Sequence, residues 1–431
     1  MILKSNFKSQ YWRWIFFLFA VVSFQFLNAQ KILIPMDQEQ HDHLKAYGII
    51  YDILEYQIPV DWLLNYRGGS FLIDEYSVFT EECRIRGVSF ERLSRTATSL
   101  VYFDIEKDNM AIVRLEKAPR VAVYSPPTAQ PWDDAVTMAL TYAGIPYQTI
   151  WDKQVFLGAL DHFDWLHLSH EDFTGQYNKY YKKYGQTDWY RNLRQDREKL
   201  ADDLGFSSVH EEKKAIASAI KTYLRNGGYL FAMCSATDTY DIALAQTGID
   251  GVAQIFDGTP ADPEVNKKLN YDACLAFKNF NVYTDPMQKE LSDINYPPSN
   301  LPVTGNGEFE YFSMFEFSAK FDPKPTMLTQ NHVRTIRGFR GQTTGFHREK
   351  IKNRIIILND NLGTDESQVK YIHGTHGAGT FTFLGGHDPE AYQYFIGDIP
   401  TELSGHKNSP GFRLILNNVL FPAAKLKEPK T

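Results

Sequence analysis

Cysteine is scarce in this chain: Cys83, Cys234 and Cys274 are the only three among 431 residues. So small and odd a number excludes a disulfide framework, and leaves any one thiol as either a chemical group or a core filler. Basic charge is also in deficit, with 45 Lys and Arg against 52 Asp and Glu. An acidic surface lacks the basic face that phosphate contacts need, so nucleic acid is not expected as a partner. Internal repeats and low-complexity tracts are missing, and aromatics at 14% argue against disorder. The chain is long enough for one large domain or two ordinary ones.

Long apolar runs are confined to the first thirty residues. Lys4, Lys8 and Arg13 form a positive segment without acids, followed by Ile15 to Val22 and Phe24 to Leu27, with Ala29 offering a small residue for cleavage. Residues 1–29 therefore read as a signal peptide. Ser23 and Gln25 interrupt the apolar run, which is too short to favour a span; Leu27, three residues before the cleavage point, is bulky, and an uncleaved anchor is the alternative. No cysteine follows for lipid attachment. A periplasmic or secreted location is expected, with no membrane span after cleavage. The remaining 402 residues would carry 42 basic against 52 acidic side chains.

Beyond the leader, apolar periodicity alternates between strand and helix. Ile32 to Pro35 reads as a strand, Asp42 to Tyr56 as a helix and Val60 to Leu64 as a strand, running into the turn-rich Tyr66-Arg67-Gly68-Gly69-Ser70. Val121 to Tyr124 is a strand, after which Pro131 opens a helix ended by Gly144. Tyr147 to Ile150 and Trp165 to Leu168 are strands separated by a short helix. Ser208 to Glu211 is a capping box heading a helix, and Tyr229 to Met233 is a buried strand. Ile355 to Leu358 and Thr380 to Leu384 follow as strands, and Ser409-Pro410 caps a last helix. This rhythm predicts an α/β fold with a mostly parallel sheet and helices on both faces. An N-terminal α/β segment at 30–118, either a separate domain or part of the same sheet, would precede a main domain at 119–425. Insertions are expected at about 176–208, Tyr-, Lys- and Arg-rich, and at about 257–331.

Sites in parallel α/β sheets form at the carboxyl ends of strands. Cys234 falls there, in Ala232-Met233-Cys234-Ser235-Ala236, where small neighbours permit a tight strand-to-helix turn. A thiol at a helix N-terminus is favoured as thiolate; the alternative is a core cysteine. His387 and Asp388, in Gly385-Gly386-His387-Asp388-Pro389-Glu390, form an imidazole beside a carboxylate, the pattern of an oriented general base, or else a polar turn. Ser169-His170-Glu171-Asp172 follows a third strand end, either lining the same crevice or forming a solvated loop.

The order strand–Cys–helix, then strand–Gly-Gly-His–x–x–Glu and a terminal amphipathic helix, resembles the class I glutamine amidotransferase-like superfamily over about Arg120 to Phe421. The resemblance implies a Cys-His-Glu triad in a flavodoxin-like sandwich, with Cys234 as nucleophile, His387 as base and Glu390 or Asp388 as orienter. The elbow lacks that family's usual glycines, and Asp388 is an extra residue within its His-Pro-Glu motif. The whole chain is also similar to exported proteins named asparagine synthetase B, through Leu33 to Asp37 and Asn65 to Ser70. Glutamine-dependent asparagine synthetases use a cysteine at position two and a Ser-Gly-Gly-x-Asp-Ser loop for ATP, whereas this chain has Ile2 and no such loop.

His373-Gly374-Thr375-His376-Gly377-Ala378-Gly379-Thr380 resembles the histidine motif of subtilisin-like proteases, with Asp360 upstream, yet no Gly-Thr-Ser-Met-Ala nucleophile follows. His41-x-His43, His167-x-x-His170 and His373-x-x-His376 have zinc-ligand spacings, which twelve histidines also produce by chance. No metal and no cofactor are expected.

Two functions follow. One is a thiol hydrolase of an amide or related acyl bond, using Cys234, His387 and Glu390, with Ser169, His170, Glu171, Ser235 and Asp388 lining the site. The other is a non-catalytic module binding a small molecule, sugar or peptide through Tyr177, Tyr180, Tyr181, Trp189 and Tyr190.

Overall fold

The computed structural model describes residues 30–127, 134–295, 311–360, 367–390 and 402–424. The expected signal peptide and its cleavage site, and Pro131, lie outside those residues. Strands β1 (Lys31–Ile34), β2 (Val60–Leu64), β3 (Ser70–Asp74), β4 (Glu91–Leu93) and β5 (Ala111–Leu115) form an antiparallel sheet in the order β4-β1-β3-β2-β5. Next come β6 (Val121–Tyr124), β7 (Gln148–Ile150), β8 (Trp165–Leu168) and β9 (Tyr229–Met233). Short strands β10 (Tyr311–Met314), β11 (Thr335–Arg340), β12 (Phe346–His347), β13 (Ile356–Ile357), β14 (Asn359–Asp360) and β15 (Gln368–Val369) follow. Finally β16 (Tyr371–His376), β17 (Gly379–Leu384) and β18 (Asp388–Pro389) complete the set.

The large sheet has seven strands in the order β13-β16-β17-β9-β8-β6-β7. Its residues alternate between two cores, as a pleated strand buried on both faces must. Val121, Val123, Phe231 and Met233 enter one apolar cluster, while Ala122, Tyr124, Leu230 and Ala232 enter the other. The first cluster also contains Ile32, Trp62 and Phe71 of the N-terminal sheet and Ile415, Leu416 and Val419 of the last helix. The segment 30–118 thus shares a core with the large sheet.

Three helices occupy that shared core. His43–Glu55 starts where Asp42 accepts from the Lys45 amide (2.9 Å) and buries Leu44, Tyr47, Ile50, Ile53 and Leu54. Ala135–Ala143 is capped by Asp134 and stopped by Gly144 at φ 79°. Pro410–Leu420 is capped by Ser409, with Pro410 in its first turn. No helix among the described residues is long and apolar enough to cross a membrane.

The expected mostly parallel sandwich is not what forms. Among the described residues, parallel pairing is limited to β6·β7, β6·β8, β8·β9 and β9·β17. The other ten pairings are antiparallel. The physical reason lies in the connections. A parallel neighbour needs a crossover of a dozen or more residues, as 121–233 supplies, whereas two residues, Gly377 and Ala378, join β16 to β17 and force a hairpin. Likewise, the stretch from 65 to 117 holds three strands of the antiparallel sheet, and the insertion at 257–331 feeds a second antiparallel sheet, β14-β10-β11-β18. The architecture is mixed α/β with several antiparallel sheets and one mixed sheet.

Candidate active site

Cys234 occupies the turn between β9 and the helix Ser235–Ala245, with φ 51° and ψ −135°. A non-glycine residue in that region is strained by about 1–3 kcal/mol, a cost found where a side chain must be aimed. Its amide donates to the Leu384 carbonyl at the end of β17 (3.1 Å), which locks the elbow to the strand that delivers His387. The thiol stands at the positive end of an eleven-residue helix, where negative charge is favoured.

His387 faces it from the loop after β17. Its Nδ1 lies 2.7 Å from Oδ1 of Asp388, whose side chain is 10% exposed. Burial works against a charged imidazole here, but the Cys234 sulfur opposite and the Asp388 carboxylate outweigh it and push the group up to about 10. A thiol, an imidazole and a carboxylate therefore stand in series.

Glu390, the expected orienter, is elsewhere. Its carboxylate accepts from Oγ of Ser409 at the cap of the last helix. Adjacency explains the exchange: Asp388 follows His387 directly and reaches back to Nδ1, whereas Glu390 lies beyond the two-residue strand β18 with φ 66° and is directed to Ser409.

The loop from Ser169 to Asp172 does border the site. The rings of His170 and His387 are 5.3 Å apart, and Ser235 Oγ donates to the His170 carbonyl (2.7 Å). Ser169 Oγ is 3.1 Å from His170 Nδ1. Glu171 turns away to Arg197 (3.2 Å), and Asp172 accepts from the Thr174 and Asn178 amides, which fastens the loop internally.

Sequence reasoning missed Gly341 and Gln342. The Gln342 amide donates to the Cys234 sulfur (3.2 Å). A Cβ on Gly341 would stand 2.5 Å from that sulfur and 3.0 Å from Cδ2 of His387, so only glycine fits between the two groups. The signal available was Gly341-Gln342-Thr343-Thr344-Gly345, a glycine-bracketed loop directly after β11. A narrow cleft borders this loop, lined by Asp238, Glu290, Asn295, Gln342 and Thr343 among others. Burial raises Asp238 to about 7 although Thr343 donates to it (2.8 Å), so its carboxyl is largely neutral below neutral pH.

The aromatic insertion is closed on itself. Tyr177 and Tyr190 are buried with Phe256, and the Tyr180, Tyr184 and Trp189 rings contact one another at 5.5–6.0 Å. The zinc-like pairs also have other duties: His43 stacks on His332, His167 meets Asp134 (3.1 Å), and His373 is buried beside Thr382 (3.1 Å). No group of three or more His, Cys, Asp or Glu among the described residues is placed to hold a metal.

No family model and no curated protein matches the chain. Two solved structures from Salmonella typhimurium share part of its path. One has 10% identity and a TM-score of 0.33, the other, from strain LT2, 11% and 0.29; each covers 71% of this chain and 100% of its own. Both are described as cytoplasmic proteins, a description that belongs to them, and the periplasmic or secreted location expected from the leader is not carried further.

Proposed function

We propose that the chain is a cysteine-dependent hydrolase of an amide or related acyl bond, with Cys234 as nucleophile, His387 as proton carrier and Asp388 as orienter. The observation that carries this reading is the strained Cys234 elbow facing an imidazole backed by a buried carboxylate. The resemblance to class I glutamine amidotransferase-like proteins is kept for the site alone, with Asp388 in place of the glutamate.

The chemistry follows from the charges. The Cys234 sulfur attacks the acyl carbon, and the oxyanion that forms lies at the N-terminus of the helix Ser235–Ala245. As the C–N bond breaks, His387 gives its proton to the leaving nitrogen. His387 then takes a proton from water, which attacks the thioester, releases the acid and restores the thiol. Asp388 fixes the imidazole so that Nε2 is the nitrogen that works.

The test is the pH profile of iodoacetamide alkylation at Cys234, read by peptide mass spectrometry. In the native protein the rate is expected to change little as pH falls below neutral, because a positive imidazole favours a negative sulfur beside it. In His387→Ala the profile should move to that of an ordinary thiol, near pH 8.5. Identical profiles in the two proteins would refute the hydrolase.

A further inference from the structure

Cys234 is fully buried, yet the groups above it belong to a thin loop rather than to the core. Gly341 packs on the sulfur and the imidazole together, and the next amide is hydrogen-bonded to the sulfur. Whatever acyl group reaches the thiol must occupy that same space. The loop is fastened at four points, each on a different part of the chain. Asn295 Nδ2 donates to the Gln342 carbonyl (2.9 Å), and Gln342 Nε2 donates to the Asn178 carbonyl (3.3 Å). Thr343 Oγ1 donates to Asp238 (2.8 Å), and the Gly386 amide donates to the Thr343 carbonyl (2.6 Å).

These fastenings are polar, and none of Gly341, Gln342 and Thr343 has a large apolar side chain to anchor it. Gln342 is partly exposed, and Oδ1 of Asn295, although buried, has no hydrogen-bond partner among the described residues. Segments tied by hydrogen bonds rather than by apolar burial open at low cost. The loop also bridges the elbow and the His387 loop, since Gly385 lies against the Thr344 carbonyl and Gly386 donates to Thr343.

We infer that Gly341–Thr343 is an autoinhibitory strap: it fills the acyl position over Cys234, and the thiol becomes reactive when the strap is unfastened. This rests on the hydrolase reading for its purpose but not for its test. Asn295 and Thr343 hold the strap from outside, and neither touches the thiol or the imidazole. Closed, the strap protects a reactive sulfur from adventitious oxidation and alkylation. Open, it bares the sulfur, the imidazole and the helix N-terminus together.

The experiment compares iodoacetamide alkylation of Cys234 in the full chain with that in Asn295→Ala, Thr343→Val and the double variant. Circular dichroism and the unfolding midpoint verify the fold of each. Each lost fastening should speed alkylation about fivefold, the worth of one net hydrogen bond, and the double variant should exceed either single. A second route is Gly341→Ala, whose Cβ cannot coexist with the closed strap and should also speed alkylation. Rates within twofold of the native protein in all folded variants would overturn the strap. Faster alkylation in these variants that is indifferent to adding His387→Ala would sustain the strap and defeat the hydrolase.

Discussion

Two buried polar clusters in this molecule both contain histidine, and they treat it in opposite ways. At Cys234, His387 faces the sulfur and a carboxylate and is pushed up to about 10. Around Arg413, His43 is pushed down to about 4 and His332 to about 3, by burial first and by the charges around them, Arg413 included. Arg413 is fully buried, with no carboxylate partner among the described residues. It donates to the Met36 carbonyl (2.8 Å), the Gly68 carbonyl and the Tyr47 hydroxyl (3.1 Å), and to His332 Nδ1 (3.3 Å), which must therefore be neutral. His43 donates through Nε2 to the same Met36 carbonyl (3.1 Å) and stacks on His332 at 4.1 Å. The difference teaches where chemistry is placed. The Arg413 cluster satisfies each acceptor and closes; the His387 cluster keeps a charged donor beside a thiol.

The largest effect expected from breaking this contrast is Arg413→Met. Arg413 ties the chain after β1 at Met36 and the turn after β2 at Gly68 to the last helix, and removing it leaves the Gly68 carbonyl without this donor, while Met36 keeps His43. A loss of about 3–5 kcal/mol is expected in urea unfolding. A variant as stable as the native chain would show that apolar packing alone joins these elements. Alkylation of Cys234 in the folded fraction should be unchanged, because Arg413 serves a tie and not the site.

The titrations should bend stability in opposite directions. His43 and His332 have folded values below the ordinary 6.5, so the unfolded chain takes up their protons first. Their contribution is present above 6.5 and is lost as pH falls toward about 4, at about 1.4 kcal/mol per unit for each fully coupled site. His387 has a folded value above 6.5, so its contribution is present below 6.5 and is lost as pH rises through about 10. Unfolding free energies in urea from pH 4.5 to 10 should thus fall on both sides, by up to about 5 kcal/mol at the acid end if the two sites act independently. His387→Ala should flatten the alkaline side only. An acid side that flattened with it would mean the two clusters are not independent.

These clusters also mark how far the sequence could be read. The elbow was legible because Tyr229 to Met233 is uninterrupted apolar chain, and small residues flank Cys234. Likewise His387 follows an alternating strand and two glycines. The helices were legible from the apolar spacing after Asp42 and from the caps Ser208 and Ser409. What escaped was pairing direction: β16, read as a protease-like histidine motif, is the antiparallel neighbour of β17, and no local signal separates those readings until the two-residue turn is noticed. The strap escaped because Gly341 is required by a sulfur 107 residues away in the chain, a reason that no local window contains. The Arg67-Gly68-Gly69 loop was visible as a turn, but its guanidinium partner comes from the far end of the chain.

The smallest changes decide the most disputed assignment. Asp388→Asn keeps the shape beside His387 but removes the charge that orients it. One charge-assisted hydrogen bond predicts alkylation at pH 6 slower by about tenfold to a hundredfold. Glu390→Gln should alter alkylation by less than twofold, because its carboxylate serves Ser409; its cost should appear as about 1 kcal/mol of stability through the helix cap. The two variants carry the same chemical change two residues apart, so bulk electrostatics cancels between them. If Glu390→Gln were instead the slower protein, Ser409 would be a resting partner, and the glutamate would swing to His387 when the strap opens. Asp388 would then be the residue that holds β18 against β11, and the triad would have the order that the glutamine amidotransferase-like resemblance implies.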